Sequence, residues 1–321
     1  MKIFPLTLIP NDTRIDFMRI RWVAMTVAAI LFVAAVGAIG YKGFNYALDF
    51  TGGTVVEVRF QKLADVELVR EQLAKAGYEG AQVQRFGSGS DLLVRLQPRD
   101  SQTSSDANNR TAQEVQAAIS TPDNQATLLR TEFVGPQVGK ELAMNGLYAA
   151  IFVVVGFLIY IGFRFELKFA IVASLTTMFD VLVVAGYFAL SGREFDLTVL
   201  AGLLSVMGFS INDTIVVFDR VRENFRSLRV DPLEVFNRSI NQTLSRTIIT
   251  SLVFFLSVLA LYLYGGGSLQ GLALTQMIGA VIGTLSSIFI ACPLLTIGFL
   301  KVTKQDLLPK AKDVEALARR P

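Results

Sequence analysis

The sequence predicts a multi-pass α-helical membrane protein with six spans and one small α+β domain inserted between the first and second. Three observations predict it. Of the 321 residues, 52% are hydrophobic, which is too apolar for an ordinary soluble domain of this length. Six stretches each supply roughly the 20 apolar residues that a bilayer core requires. One long segment, Lys42–Glu141, alternates between apolar and polar residues instead of running apolar throughout.

In chain order, residues 1–21 carry Arg14, Arg19 and Arg21 ahead of a first span at Trp22–Tyr41. That span is longer than the roughly 7–15 residues of a cleavable signal core, so it reads as a retained anchor. Within 42–141, Thr54–Phe60 alternates with β-branched residues, and Asp65–Ala76 has helical spacing at Val66, Val69 and Leu73 with Gly77 placed to end it. Ala81–Phe86 and Leu92–Leu96 read as strands joined by Gly87–Ser90, a hairpin signal. The polar stretch Gln97–Arg110 reads as loose, Thr111–Ile119 as a second helix and Ala126–Phe133 as a last strand. The result is a β-α-β-β-α-β, ferredoxin-like order.

The remaining spans fall at Leu142–Phe163, Phe169–Leu190, Leu197–Phe218, Thr247–Tyr264 and Leu272–Leu300, the last long enough to tilt and carrying Pro293. Between the fourth and fifth, in residues 219–246, Asp231-Pro232 with Glu234 is a helix start signal. Leu233, Phe236, Ile240 and Leu244 then share one face. A short amphipathic helix at the membrane surface and a solvated linker both remain open. Cations set the orientation. They cluster before the first span, at Arg164 and Lys168, from Arg220 to Arg246 and in the 301–321 tail, whereas the opposite short loops hold only Arg193. Both termini are then expected in the cytoplasm and residues 42–141 outside it.

Composition narrows the chemistry. The chain has no histidine and a single cysteine, Cys292, in an apolar run. Histidine metal sites, Ser-His-Asp triads and cysteine clusters are excluded, so proton chemistry falls to carboxylates. A formal charge of +3 is too small to suggest nucleic-acid binding. No nucleophile–base pair is visible, and no enzyme, cofactor or metal is expected. Gly135–Lys140 is one spacer short of a phosphate loop and is followed by Glu141, so no nucleotide is implied. Thr51-Gly52-Gly53 reads as a tight turn before a strand, and Gly265–Gly267 as a flexible outside loop.

Two carboxylates sit where charge is expensive: Asp180 in the third span and Asp213 in the fourth. An Asp near the bilayer centre costs about 2.5–3.5 kcal/mol on insertion scales, so it normally faces a bundle interior or a water path. Gly202, Val206 and Phe209 share the face of Asp213. Arg220 follows seven residues on, and Ser210 and Asn212 add polar groups nearby. Burial disfavours the charged form and a guanidinium favours it, which suits a proton relay. The alternative is a plain hydrogen bond to a neighbouring helix. For Asp180, with Thr176 and Thr177 one turn away, the same two readings stand. Arg246 opens the fifth span, where snorkelling to the headgroups is its bland role.

Four segments carry a resemblance: Ala47–Thr54 (Ala-Leu-Asp-Phe-Thr-Gly-Gly-Thr), Val134–Gly139, Ser210–Asn224 and Asn241–Thr247. Together they resemble the SecD/SecF family of protein-export membrane proteins, relatives of the resistance-nodulation-division transporters. The match runs along essentially the whole chain, with residues 98–110 outside it. The resemblance implies a SecD partner that adds six more helices, placement beside the SecYEG channel with YajC and YidC as neighbours, and residence in the bacterial inner membrane. It implies that ions, usually H⁺, flow inward and that the outside domain moves to draw an exported preprotein outward. It makes Asp213 the ion-path acid, Arg246 the arginine that opens the fifth helix, and Asp180 a further family acid. Two rivals stand beside it: a small-molecule or lipid exporter of the related superfamily, and a non-transporting scaffold of the translocase.

Overall fold

The computed structural model describes residues 13–86, 90–96 and 105–303. The expected Gly87–Ser90 turn, most of the 301–321 tail and the first twelve residues lie wholly or largely outside them. Twelve elements organise the chain: α1 (Arg21–Lys42), β1 (Gly53–Phe60), α2 (Val66–Lys75), β2 (Gln82–Phe86), β3 (Asp91–Leu96), α3 (Ser105–Ile119), β4 (Ala126–Val134), α4 (Pro136–Arg164), α5 (Leu167–Ser191), α6 (Leu197–Ser227), α7 (Pro232–Tyr264) and α8 (Gly267–Ser286). They form two compact units, Tyr46–Ala149 and the rest.

In the α+β unit the strands lie in the order β2-β3-β1-β4, every pair antiparallel. This is the order that two strand-helix-strand repeats produce when they interleave. Period-two alternation decides which face is covered. Val56, Val58 and Phe60 of β1 point the same way as Leu92, Val94 and Leu96 of β3, and all are buried against Val69 and Leu73 of α2 and Val115 and Ile119 of α3. Asp65 caps α2 by accepting the Glu67 N–H at 3.0 Å, and Gly77, with φ +87°, ends it. On the other face, Arg59 donates twice to Asp91, at 2.7 and 2.8 Å. This fork holds the Asp91 carboxyl below its ordinary range.

Two of the family-like segments meet in this unit. Gly52 (φ +67°) and Gly53 (φ +123°) make a turn closed to other residues, as the tight-turn reading expects. A Cβ on Gly139 would come 2.9 Å from the Gly52 nitrogen, so the contact requires glycine at 139, while positive φ favours it at 52.

The second unit is a bundle in which α5, α6 and α8 are about half buried, while α1, α4 and α7 turn most of their surface outward. Six helices are long and apolar enough to cross a membrane. Lipid tails give apolar side chains no reason to leave them, so close backbone approach must hold such helices together. Small residues supply it. Along α8 and just beyond, Gly271, Thr275, Gly279, Gly283 and Ser287 recur every four residues. Gly202 of α6 faces Thr275 with 2.8 Å for a would-be Cβ, Gly279 takes the Val206 side chain, and Gly283 sits against Ser210 at 3.1 Å. Gly186 of α5 receives Ala35 of α1 in the same manner.

Several expectations are corrected. Residues 105–110 are helical, not loose: α3 begins at Ser105, held by the buried Ala112, Val115 and Ile119 further along it. No separate surface helix lies in 219–246. After α6, which runs on to Ser227, α7 is one continuous helix from Pro232 to Tyr264, because nothing after Pro232 breaks it. Asp231 does cap it, accepting the Leu233 N–H at 3.0 Å. The face expected at the membrane surface is packed inside: Phe236, Ile240 and Leu244 are buried in the bundle core. The last long helix starts at Gly267, not Leu272, and gives way to a π turn, Ser287–Ala291, then a short helical turn ending at Leu294 instead of Leu300. Cys292 is fully buried there.

At the arginine-rich end of the bundle, Arg164 pairs with Asp219 at 2.7 Å and Arg222 with Glu166 at 3.0 Å. Asn224 of α6 donates to Ser239 and to Gln242 of α7, both at 2.9 Å. That contact joins the third and fourth family-like segments.

Candidate functional site

Both intramembrane carboxylates point inward. Asp213, on α6, is 4% exposed and accepts a hydrogen bond from Ser251 Oγ of α7 at 3.3 Å. Thr284 Oγ1 of α8 lies 2.7 Å from Ser251 Oγ, so three helices contribute to the environment of one acid. An apolar groove of about 330 Å³ between α7 and α8 has Ser251 and Thr284 in its lining, among Leu252, Phe255 and Val281.

Asp180, on α5, is fully buried. Its Oδ2 accepts from Ser210 Oγ of α6 and, at 2.9 Å, from Ser286 Oγ of α8. Its Oδ1 has no hydrogen-bond partner among the described residues, and neither has Thr177 Oγ1 one turn earlier. Thr176 is satisfied by its own helix, donating to the Val172 carbonyl at 2.9 Å. Ser210 stands one turn before Asp213, so a single stretch of α6 serves both acids. The π turn of α8 begins immediately after Ser286. π turns are rare and gather at working sites, because they loosen the backbone ladder.

The other expected residues fall differently. Arg246 is exposed near the arginine-rich end of α7 and acts on Asp213 through space, without a hydrogen-bonded ion pair. Asn212 is exposed and turned away from the Asp213 pocket, because adjacent helical residues lie about 100° apart. Arg220 is engaged elsewhere, paired with Glu223 at 2.9 Å. Reading the sequence missed Ser251, Thr284 and Ser286. The four-residue recurrence of small residues in the last span was the available signal for α8, since it fixes which face of that helix meets α6. Among the described residues, no group of three or more His, Cys, Asp or Glu is arranged to hold a metal ion.

Carboxylates buried among hydroxyls, with a guanidinium acting on one of them from a distance, make an arrangement suited to taking up and releasing a small cation. Fold and site together define a polytopic membrane protein with an α+β domain between its first two spans and acids buried where α5, α6, α7 and α8 converge.

Comparison with known proteins narrows that class. Residues 114–299 match the family described as "Protein export membrane protein SecD/SecF, C-terminal", and residues 37–62 match the SecD/SecF GG motif. The chain belongs to the SecD/SecF family. It is 44% identical to protein translocase subunit SecF of Escherichia coli O157:H7, over 87% of this chain and 86% of that one. It is 46% identical to the protein of the same name from Pseudomonas aeruginosa, over 93% and 96%. The crystal structure of SecDF from Thermus thermophilus, a translocon-associated membrane protein, superposes with a TM-score of 0.80 at 37% identity over 91% of this chain. The chain spans 39% of the length of that longer protein.

Proposed function

We propose that this chain is a SecF-type subunit of the protein translocase that pairs with SecD in the bacterial inner membrane and uses inward proton flow to help export preproteins. Both termini and the arginine-rich end then face the cytoplasm, and the α+β unit lies outside. SecYEG is the channel served, with YajC and YidC as neighbours. The reading is supported by family membership, by the likeness to SecDF and by the cation distribution. The observation that carries the coupling mechanism is Asp213, buried at the meeting of α6, α7 and α8 with Arg246 within electrostatic reach.

In this mechanism a proton entering from outside neutralises Asp213. Its attraction to Arg246 is lost, α7 and α6 adjust, and the outside unit follows. Release to the cytoplasm resets the pair. Magnitudes permit it. One charge crossing 100 mV yields about 2.3 kcal/mol, and driving a two-state element from 1:99 to 99:1 takes about 5.5 kcal/mol, so about three protons suffice. Asp180 of α5 serves as a second, more deeply buried station, linked through Ser210 to the stretch of α6 that carries Asp213.

The test replaces Asp213 with Asn, which keeps size and hydrogen bonding but cannot ionise. Proton-gradient stimulation of preprotein export is then measured in inverted vesicles holding normal amounts of the complex. Stimulation is expected to disappear. If it persists undiminished, Asp213 is not the coupling acid and the scaffold reading takes its place.

A further inference from the structure

The segment just before α1 is bound to α7 by two asparagine side chains. Asn241 reads the backbone of Ile15 in both directions: its Oδ1 accepts the Ile15 N–H at 3.0 Å and its Nδ2 donates to the Ile15 carbonyl at 2.8 Å. One turn earlier, Asn237 Oδ1 accepts the Met18 N–H at 2.9 Å, and its Nδ2 donates to Asp16 at 2.8 Å. Asp16 also caps the 3₁₀ turn Phe17–Ile20 by accepting the Arg19 N–H at 3.1 Å. Below these polar contacts, Phe17 and Met18 are buried in the same core as Phe236, Ile240 and Leu244 of α7. The Phe17 ring meets Phe289, in the π turn of α8, edge-on at 5.7 Å.

A loose leader needs none of this. Amide-to-backbone pairs of the kind Asn241 makes fix the position of a chain as a sheet ladder does, since donor and acceptor must both align. The segment therefore fastens the start of α1 to the arginine-rich half of α7, with an aromatic contact to the one irregular turn of α8. Because α7 is unbroken, what happens at Asn241 reaches further up the helix. Arg246 lies five residues on, and Ser251, which donates to Asp213, ten residues on, about 15 Å along the axis.

We propose that residues 13–20 form a strap, and that Asn237 and Asn241 are positioning residues which, through it, hold Arg246 and Ser251 of α7 in register with Asp213. The inference rests on the coupling role given to Asp213 above. With the strap docked, α7 keeps one rotation about its axis.

The test uses the full chain with its SecD partner in proteoliposomes and the variant Asn241→Ala. Hydrogen exchange at the Ile15 amide is expected to accelerate ~10-fold or more, the weight of the lost side-chain hydrogen bonds. Proton-driven export is expected to fall several-fold and its pH profile to shift, while the amount of assembled complex stays normal. A mere anchor would not move the pH profile. Asn241→Asp retains the acceptor for the Ile15 N–H and is expected to fall between wild type and Asn241→Ala. If Asn241→Ala does not accumulate, Asn241→Asp carries the same readouts. Faster exchange with unchanged export and an unchanged pH profile would overturn the proposal, and so would unchanged exchange. Asp213→Asn measured alongside separates the two ideas. If it abolishes proton stimulation while Asn241→Ala leaves the profile alone, the strap proposal fails by itself.

Discussion

Substituting Gly279 of α8 by Ala tests whether small-residue packing holds α6 and α8 together. A Cβ there would run into both Cγ atoms of Val206, which is 1% exposed and has nowhere to move. Overpacking of this kind costs about 1–3 kcal/mol, and the better helix propensity of Ala returns about 0.5–1. The net expectation is a loss of up to ~2.5 kcal/mol. Val206→Ala alone removes two packed methyl groups and is expected to cost ~1–2 kcal/mol. Combined, the new methyl at 279 occupies space that Val206 has vacated. The double variant should then be more stable than the sum of the two losses by ~1–2 kcal/mol. Gly208→Ala on α6 is the control, since a Cβ there meets nothing within 4 Å. Unfolding of the purified chain in mixed micelles, followed by circular dichroism, measures the wild type and all four variants. Additivity within ~0.5 kcal/mol would show that Gly279 and Val206 do not share one space, and the account of the bundle core would be wrong.

Acidification should act on the α+β unit through Asp91. Its folded-state carboxyl lies below the ordinary value because Arg59 donates to it, so its contribution to stability is present above the unfolded value, ~4, and is lost as pH falls through the folded one. Thermal melts between neutral and strongly acidic pH should show a loss in wild type that Asp91→Asn flattens; identical pH profiles would refute it. Gly53→Ala places a Cβ at φ +123°, against the Leu96 carbonyl, and is expected to destabilise the α+β unit by about 1–3 kcal/mol. Limited proteolysis should find 46–149 cut faster in this variant, and an unchanged rate would count against the turn's requirement for glycine.

Where sequence and fold agree, a strong local pattern is responsible. Val56, Val58 and Phe60 alternate with more polar residues, and the β1 ends fall within one residue of the pattern. The start of α3 was hidden because Ser105, Asp106, Asn108 and Asn109 are weak helix formers, and packing of Val115 and Ile119 against the sheet, not propensity, sustains it. Arg246, read as opening the fifth span, suggested a boundary within α7 where the backbone has none. For the acids, charge in an apolar run marked Asp180 and Asp213 at once. Their partners stayed hidden because hydroxyls inside spans are common and most satisfy their own helix, as Thr176 and Thr250 do. Asn212 shows the opposite error: adjacency along the chain suggested adjacency in space, and one helical step carried its side chain to the other side.

Cys292 is the only sulfhydryl in the chain and has no solvent exposure. A maleimide or methanethiosulfonate reagent therefore finds no native target while the bundle stays folded, and oxidants have no pair of sulfurs to join. Every engineered thiol reports on its own location against a silent background. Spontaneous labelling at neutral pH would in turn signal that the end of α8 has opened, so the wild-type chain carries a built-in sentinel for unfolding of its last helix.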